Sequence, residues 1–207
     1  MPAPKHKYLN MQEILNSGDS AVIDAERKYW LVRTMGGDYY SDYVTNGFIA
    51  IGYDEITAKD LNELPDNINL AKESLISKFE KAGTPKNRSS YAVSQLLRFQ
   101  KEISIGDVIV VPSRSSHHAS FGLVESNTYE SPRDYSNPEG CYFTKRRKVN
   151  WKLAKLRWHL NPNLQLMFNS RHIISNVDKY APYIDSLMNG FYLKEDEAFL
   201  TLRINAE

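Results

Sequence analysis

Gly106-Asp107-Val108-Ile109-Val110-Val111-Pro112-Ser113-Arg114-Ser115-Ser116-His117-His118-Ala119-Ser120-Phe121-Gly122-Leu123-Val124-Glu125 is the stretch that decides how this 207-residue chain folds. Its apolar, β-branched first part, residues 107–112, predicts a strand. Residues 119–125 predict a second, and the polar loop 113–118 joins them. Upstream, residues 69–82 place Leu75, Ile76, Phe79 and Ala82 at helical spacing, and Gly83-Thr84-Pro85 ends that helix. Residues 89–102 predict another helix, with Val93, Leu96 and Leu97 on one stripe, Ser89 or Ser90 as N-cap, and Gln95, Arg98 and Lys101 off the stripe or at its edge. Two earlier runs, Tyr29-Trp30-Leu31-Val32-Arg33 and Phe48-Ile49-Ala50-Ile51-Gly52, read as strands, the second buried on both faces. A tyrosine-rich turn or short helix over 39–44 separates them.

Downstream, residues 127–140 read as a long exposed loop, and 141–151 as a strand whose later half is basic. Residues 164–170 predict a helix with Leu166 and Met167 facing inward, and 179–188 another. A closing hairpin is expected from 191–193 and 199–204 around the acidic turn 194–197. With no repeat and no clear linker, the expected fold class is a single α+β domain. Residues 1–28 form an N-terminal extension, in which Met11, Ile14 and Leu15 suit a helical turn or two. Residues 29–158 form the main domain, and 159–207 a helix-hairpin addition packed on it. Ending at Glu207, just after a strand, is what a segment of a longer protein would show.

At 42% hydrophobic and 25% charged residues, the chain is not mainly disordered. No run nears the roughly 18 apolar residues of a membrane helix, so no membrane contact is expected. The basic start lacks the apolar core of a secretory signal. Cys141 is the single cysteine, which excludes an internal disulfide and a multi-thiolate zinc site. A reducing, cytoplasmic location is expected. The net charge of +1 selects no partner, but its distribution does. Residues 140–177 hold no Asp or Glu, yet carry Lys145, Arg146, Arg147, Lys148, Lys152, Lys155, Arg157 and Arg171 among Tyr142, Phe143, Trp151 and Trp158. Lys145, Arg146, Arg147, Lys148, Lys152 and Lys155 are candidate contacts to a nucleic-acid backbone. The alternative is a basic strand with solvated outer positions.

No catalytic residue, metal or cofactor is expected. Gly36-Gly37 lacks the Gly-Lys-Ser/Thr of a phosphate loop, and no Gly-x-Ser-x-Gly elbow occurs. Cys141 has no base near it in sequence. His117 and His118, adjacent on a strand, point opposite ways. Asp107 and Glu125 lack the partners of a metal-dependent nuclease. A recognition surface remains: Trp30, Tyr39, Tyr40, Tyr43 and Tyr53 crowd Gly36, Gly37 and Gly52, where absent side chains permit close ligand approach. Arg33, Gln95 and Arg98 would bond a base edge or phosphate. The competing reading makes Trp30 and several tyrosines core filling.

Several segments, in order, resemble PUA-like modules of the EVE type, especially the N-terminal reader modules of Mrr-type restriction and defence proteins. They are Tyr29–Arg33, Gly36-Gly37-Asp38-Tyr39-Tyr40, Asn46–Tyr53, Gln95–Phe99, Gly106–Pro112, Phe121–Val124 and Arg146–Trp151. The resemblance implies a curved β-barrel with packed helices and a pocket between them, reading a flipped, modified base in an aromatic cage. It implies Trp30, Arg33 and Tyr53, then Gln95, Arg98 and Phe99 from the helix, and Ser113 and Arg114 from the loop, as pocket residues. Tyr53 stands where the family more often has tryptophan, keeping a stacking face without an indole N–H. The expected function is a non-catalytic sensor of modified DNA in a bacterial defence system, with a fused or associated effector as partner. The alternative ligand is a nucleotide second messenger or free modified nucleotide, clamped by Arg33, Arg98 and Arg114. Binding to short RNA is a weaker variant, since PUA-like barrels also serve RNA enzymes, and a nuclease and a purely structural module complete the alternatives.

Overall fold

The computed structural model describes residues 21–24, 26–137, 140–189, 191–194 and 197–200. In chain order the elements are β1 (Ala21–Ile23), β2 (Tyr29–Val32), α1 (Tyr40–Thr45), β3 (Phe48–Ile51), α2 (Ala58–Asn62), α3 (Ile68–Lys81) and α4 (Lys86–Leu97). There follow β4 (Val108–Pro112), β5 (His118–Val124), β6 (Tyr129–Glu130), β7 (Lys145–Leu156), α5 (Pro162–Met167), β8 (Ile174–Asn176), α6 (Ala181–Asn189), β9 (Phe191–Lys194) and β10 (Glu197–Leu200). Two compact units divide the chain: Arg27–Ala181, and the terminal segments Met1–Glu26 with Pro182–Glu207. In the terminal unit β9 pairs with β1 in parallel and with β10 antiparallel, a hairpin whose second strand begins at Glu197, two residues ahead of the expected 199–204, of which 201–204 lie outside the described residues. The helical turn expected around Ile14 and the residues beyond Leu200 lie outside the described residues.

The larger unit is α+β. Its seven-stranded mixed sheet runs β3-β7-β5-β4-β2-β8, with β6 added against β7. Only β2 and β4 pair in parallel, Tyr29 opposite Val108, because β3 and four helices cross over between them. The sheet curls because one long strand serves two neighbours. The first residues of β7, Lys145–Lys148, pair with β3, and the rest pair with β5. A register shift between Phe121 and Gly122 bends the ladder there. Gly122 permits it: a Cβ would lie 2.7 Å from Val149 and 2.8 Å from the Asn150 carbonyl. Between its edge strands β3 and β8 the strand path is open, so the described sheet is a half-barrel.

Helices α3 and α4 pack against the sheet, and Leu75, Phe79, Val93, Leu96 and Phe99 join Ile49, Ile51, Ile109 and Val111 in one core. Thr57 and Asp60 form a reciprocal capping box on α2, and Asn67 caps α3. Helix α4 begins at Lys86 after Pro85, a turn before the expected Ser89; Ser89 is buried and donates to the Lys86 carbonyl. It then widens into a π-helix, Arg98–Glu102. The inward face of α5 also differs from expectation. Leu164 and Met167, three apart, are buried, and that spacing leaves Leu166 exposed on the other side. Strand β8, hidden in a polar sequence, pairs with β2, Val32 opposite Ile174, and Gln95 accepts from the Ile174 N–H at 2.7 Å.

Candidate functional site

A cavity of about 450 Å³ opens in the larger unit where six segments meet. The end of β2 supplies Arg33, the following turn Met35 and Gly36, the end of β3 Ile51, Gly52 and Tyr53, and the first turn of α4 Arg88. Phe143 comes from the segment before β7, and Arg171 and Ile173 from the approach to β8. The volume falls in the range of about 300–1,000 Å³ typical of small-molecule sites. Among the described residues, aromatic and aliphatic side chains line it with three guanidiniums, and no carboxylate does.

The walls are positioned by the basic run at the start of β7. Lys145 is wholly buried, and its ammonium donates to the Tyr53 carbonyl at 3.0 Å. That contact holds Tyr53 in the left-handed backbone region (φ 68°), which a residue with a side chain adopts only at some cost. Arg146 lies over the Phe48 ring at 4.1 Å and donates to the carbonyls of Phe143 (3.0 Å) and Cys141 (2.7 Å), fixing the segment that delivers Phe143. Arg147 is buried too, donating to the carbonyls of Ser126, Phe99 and Ile103, the last two belonging to the π-helix and its end. Burial lowers the pKa of the Lys145 ammonium, with Asp54 the leading opposing charge. It lowers that of Arg147 to about 10, against the pull of Asp107. These three cations therefore brace the site from inside. Lys148, Lys152 and Lys155 are the exposed cations of the strand.

Within the cavity, burial pushes the Tyr53 phenol up to about 12, with Tyr91 and Glu55 adding to the shift and Arg88 opposing it. The phenol is thus a neutral donor at physiological pH. Arg33 is tied down: its guanidinium donates to the carbonyls of Phe168 and, at 2.6 Å, Ser170, and burial followed by nearby Arg157 lowers its pKa. Arg88 and Arg171 are exposed, and among the described residues neither guanidinium has a hydrogen-bond or ion-pair partner. A smaller hollow of about 300 Å³ shares Tyr53, Arg88 and Phe143 and adds Tyr142, Asp54 and Glu55.

Of the residues singled out from the sequence, Arg33 and Tyr53 line the cavity, together with Gly36 and Gly52, read as points of close ligand approach. Trp30 is core; its indole N–H donates to Asp107 at 2.9 Å. Tyr39 packs edge-on against Tyr142 and Phe143, one layer behind the wall. Tyr40 bonds Ser120 at 2.7 Å. Gln95, Arg98 and Phe99 face inward as scaffold: Gln95 and Arg98 bond the N–H and carbonyl of Ile174, and Phe99 is fully buried. Ser113 accepts from the His118 N–H, and exposed Arg114 stands 4.0 Å from Asp38. That loop packs against Gly37 so closely that a Cβ there would fall 2.2 Å from the Arg114 backbone. Arg88, Arg171, Met35, Phe143 and Ile173 were not foreseen as pocket residues. The usable signal for Arg88 was Pro85, which suits a helix start and would have moved the N-terminus of α4 ahead of it.

Among the described residues no three His, Cys, Asp or Glu side chains are grouped to hold a metal, and no helix is long and apolar enough to cross a membrane. Cys141 is buried outside the cavity, its thiol raised to about 11 chiefly by that burial.

The chain belongs to the family described as a domain of unknown function, DUF8426, whose profile matches residues 28–171. Those bounds lie within the larger unit. No curated protein matches the sequence. A similar solved structure is the YTH domain of the Zygosaccharomyces rouxii MRB1 protein in complex with N6-methyladenosine RNA. It is 13% identical, with 81% of this chain and 90% of that chain covered and a TM-score of 0.42.

Proposed function

We propose that the larger unit is a non-catalytic reader that takes a modified base of DNA between Tyr53 and Phe143 and holds the adjoining phosphate on Arg88 and Arg171. The observation that carries this reading is the pairing of a carboxylate-free aromatic hollow with two unengaged guanidiniums at its edge. Flat rings stack on a heterocycle for about 1–3 kcal/mol per base. Guanidiniums bond phosphate oxygens in a planar fork. The neutral Tyr53 hydroxyl is available to a polar atom on the base. A non-catalytic role suits a lining whose titratable groups are a tyrosine and arginines, without Ser, Cys, His, Asp or Glu to act as nucleophile or base. Lys148, Lys152 and Lys155 would add sequence-independent affinity. The restriction and anti-phage setting, with an attached effector, follows from the sequence resemblance alone.

The test is a salt titration of binding to duplexes of equal length, unmodified or carrying one 5-methylcytosine, 5-hydroxymethylcytosine or N6-methyladenine. At least one modified duplex should bind more tightly at every salt concentration; equal affinity for all removes the base-reading claim.

A second reading keeps the cavity and makes the ligand a free nucleotide or cyclic dinucleotide. Its support is that both unengaged guanidiniums face one hollow, an arrangement suited to a compact anion. Such a ligand would raise the melting temperature in proportion to the logarithm of its concentration.

A further inference from the structure

The exposed end of the β5–β7 ladder carries an aromatic group that nothing in the fold requires. Trp158 is 61% exposed, while Trp30 is buried and the Trp151 indole N–H donates to the Tyr43 carbonyl. Among the described residues the Trp158 ring has two ring contacts, both edge-on: His117 at 6.4 Å and His159 at 6.0 Å between centroids. Its 3₁₀ turn, Arg157–His159, is fixed by the Arg157 N–H on the His117 carbonyl at 2.8 Å, so the indole is presented from a braced backbone.

The surroundings are cationic. Arg114, Lys155 and Arg157 lie on segments 113–124 and 145–177, neither of which contains an Asp or Glu. The carboxylate that reaches Arg114 is Asp38, at 4.0 Å, with both side chains largely exposed. The patch also continues into the cavity wall. The Arg157 guanidinium lies over the Phe168 ring at 5.4 Å, and the Phe168 carbonyl accepts from Arg33, which lines the cavity.

We propose that Trp158, flanked by Lys155 and Arg157, is a second docking surface for DNA, on which an unpaired base near the one held in the cavity stacks while the cations take its phosphates. A flat exposed ring with cations beside it is how proteins hold single strands without reading their sequence. The proposal rests on the cavity reading and adds that the ligand is a strand rather than a single nucleotide.

The test uses the full chain and two probes, a short single-stranded deoxyoligonucleotide with a central 5-methylcytosine and 5-methyl-dCMP, with Trp158→Ala, Trp158→Phe and Arg88→Ala variants of matched melting temperature. Trp158→Ala should weaken the oligonucleotide about thirtyfold, the middle of the range for one lost stack, and leave the monophosphate unchanged. Trp158→Phe should restore most of that loss and abolish the quenching of tryptophan emission that the oligonucleotide causes in the parent chain. Arg88→Ala should weaken both probes. If Trp158→Ala binds the oligonucleotide as the parent does while Arg88→Ala does not, the second surface is overturned and the cavity reading stands. Equal loss of the monophosphate in Trp158→Ala, tighter binding of a ribo-oligonucleotide, or self-association that Trp158→Ala abolishes would also overturn it. Failure of the parent chain to bind either probe or any of their 5-hydroxymethylcytosine and N6-methyladenine counterparts overturns both readings together.

Discussion

Asp107 shows how one side chain is recruited to structure rather than chemistry. Its carboxylate accepts from the Trp30 indole at 2.9 Å and from the backbone N–H groups of Lys28 (3.0 Å) and Ser104 (2.8 Å). It thereby locks the start of β2 to the start of β4. Asp107→Ala would leave the buried Trp30 indole N–H without an acceptor, at about 1–3 kcal/mol, and expose two part-buried backbone N–H groups to water at smaller cost, so chemical denaturation should show a loss of roughly 2–4 kcal/mol. Cys141 gives a pH prediction. Its folded thiol titrates at about 11 against an ordinary 9.0, because burial penalises the thiolate. The folded state therefore holds the proton more tightly. The stabilisation is complete below pH 9 and is lost as the pH rises toward 11. Cys141→Ser, whose hydroxyl does not ionise there, should lose less stability than the parent between pH 8 and 11 in matched denaturant titrations.

At the scale of elements, β7 combines two tasks that the sequence shows as a single run of charge. Its strand was visible, although it runs from 145 to 156 rather than 141 to 151, and so were strands β2, β3, β4 and β5, because β-branched and aromatic runs bounded by turn residues mark half-buried or buried strands. The inward direction of Lys145, Arg146 and Arg147 was not visible. A cation is recognisable as internal only when its acceptors are known, and those acceptors are carbonyls of Tyr53, Phe143, Cys141, Ser126, Phe99 and Ile103, distant in sequence. Strand β8 was not read for the same reason, since its partner strand β2 and the acceptor Gln95 both lie far upstream. At the cavity, Tyr53 and Arg33 were legible through neighbouring glycines and aromatics, whereas Arg88 depended on where α4 begins. Gly122→Ala should cost about 1–3 kcal/mol in an unfolding titration, because the methyl group has no space at the bend in the β5–β7 ladder. For the rim, Arg88→Ala should lower the magnitude of the slope of log affinity against log salt for duplex DNA by about 0.9, one phosphate contact. An unchanged slope would place the phosphate elsewhere.

Across the larger unit, a curled sheet, a layer of helices and three internal cations converge to hold two aromatic rings and a set of arginines around one hollow. The direct measurement is the discrimination ratio, affinity for the preferred modified duplex over that for its unmodified twin, at one salt concentration. It should be determined for the parent, Tyr53→Ala and Lys152→Ala. The ratio should fall toward one in Tyr53→Ala, where a cavity wall is gone, and stay at the parent value in Lys152→Ala, where only an outward charge is lost. A Tyr53→Ala protein that remains folded and keeps the parent ratio would contradict the claim that a base is read in this cavity.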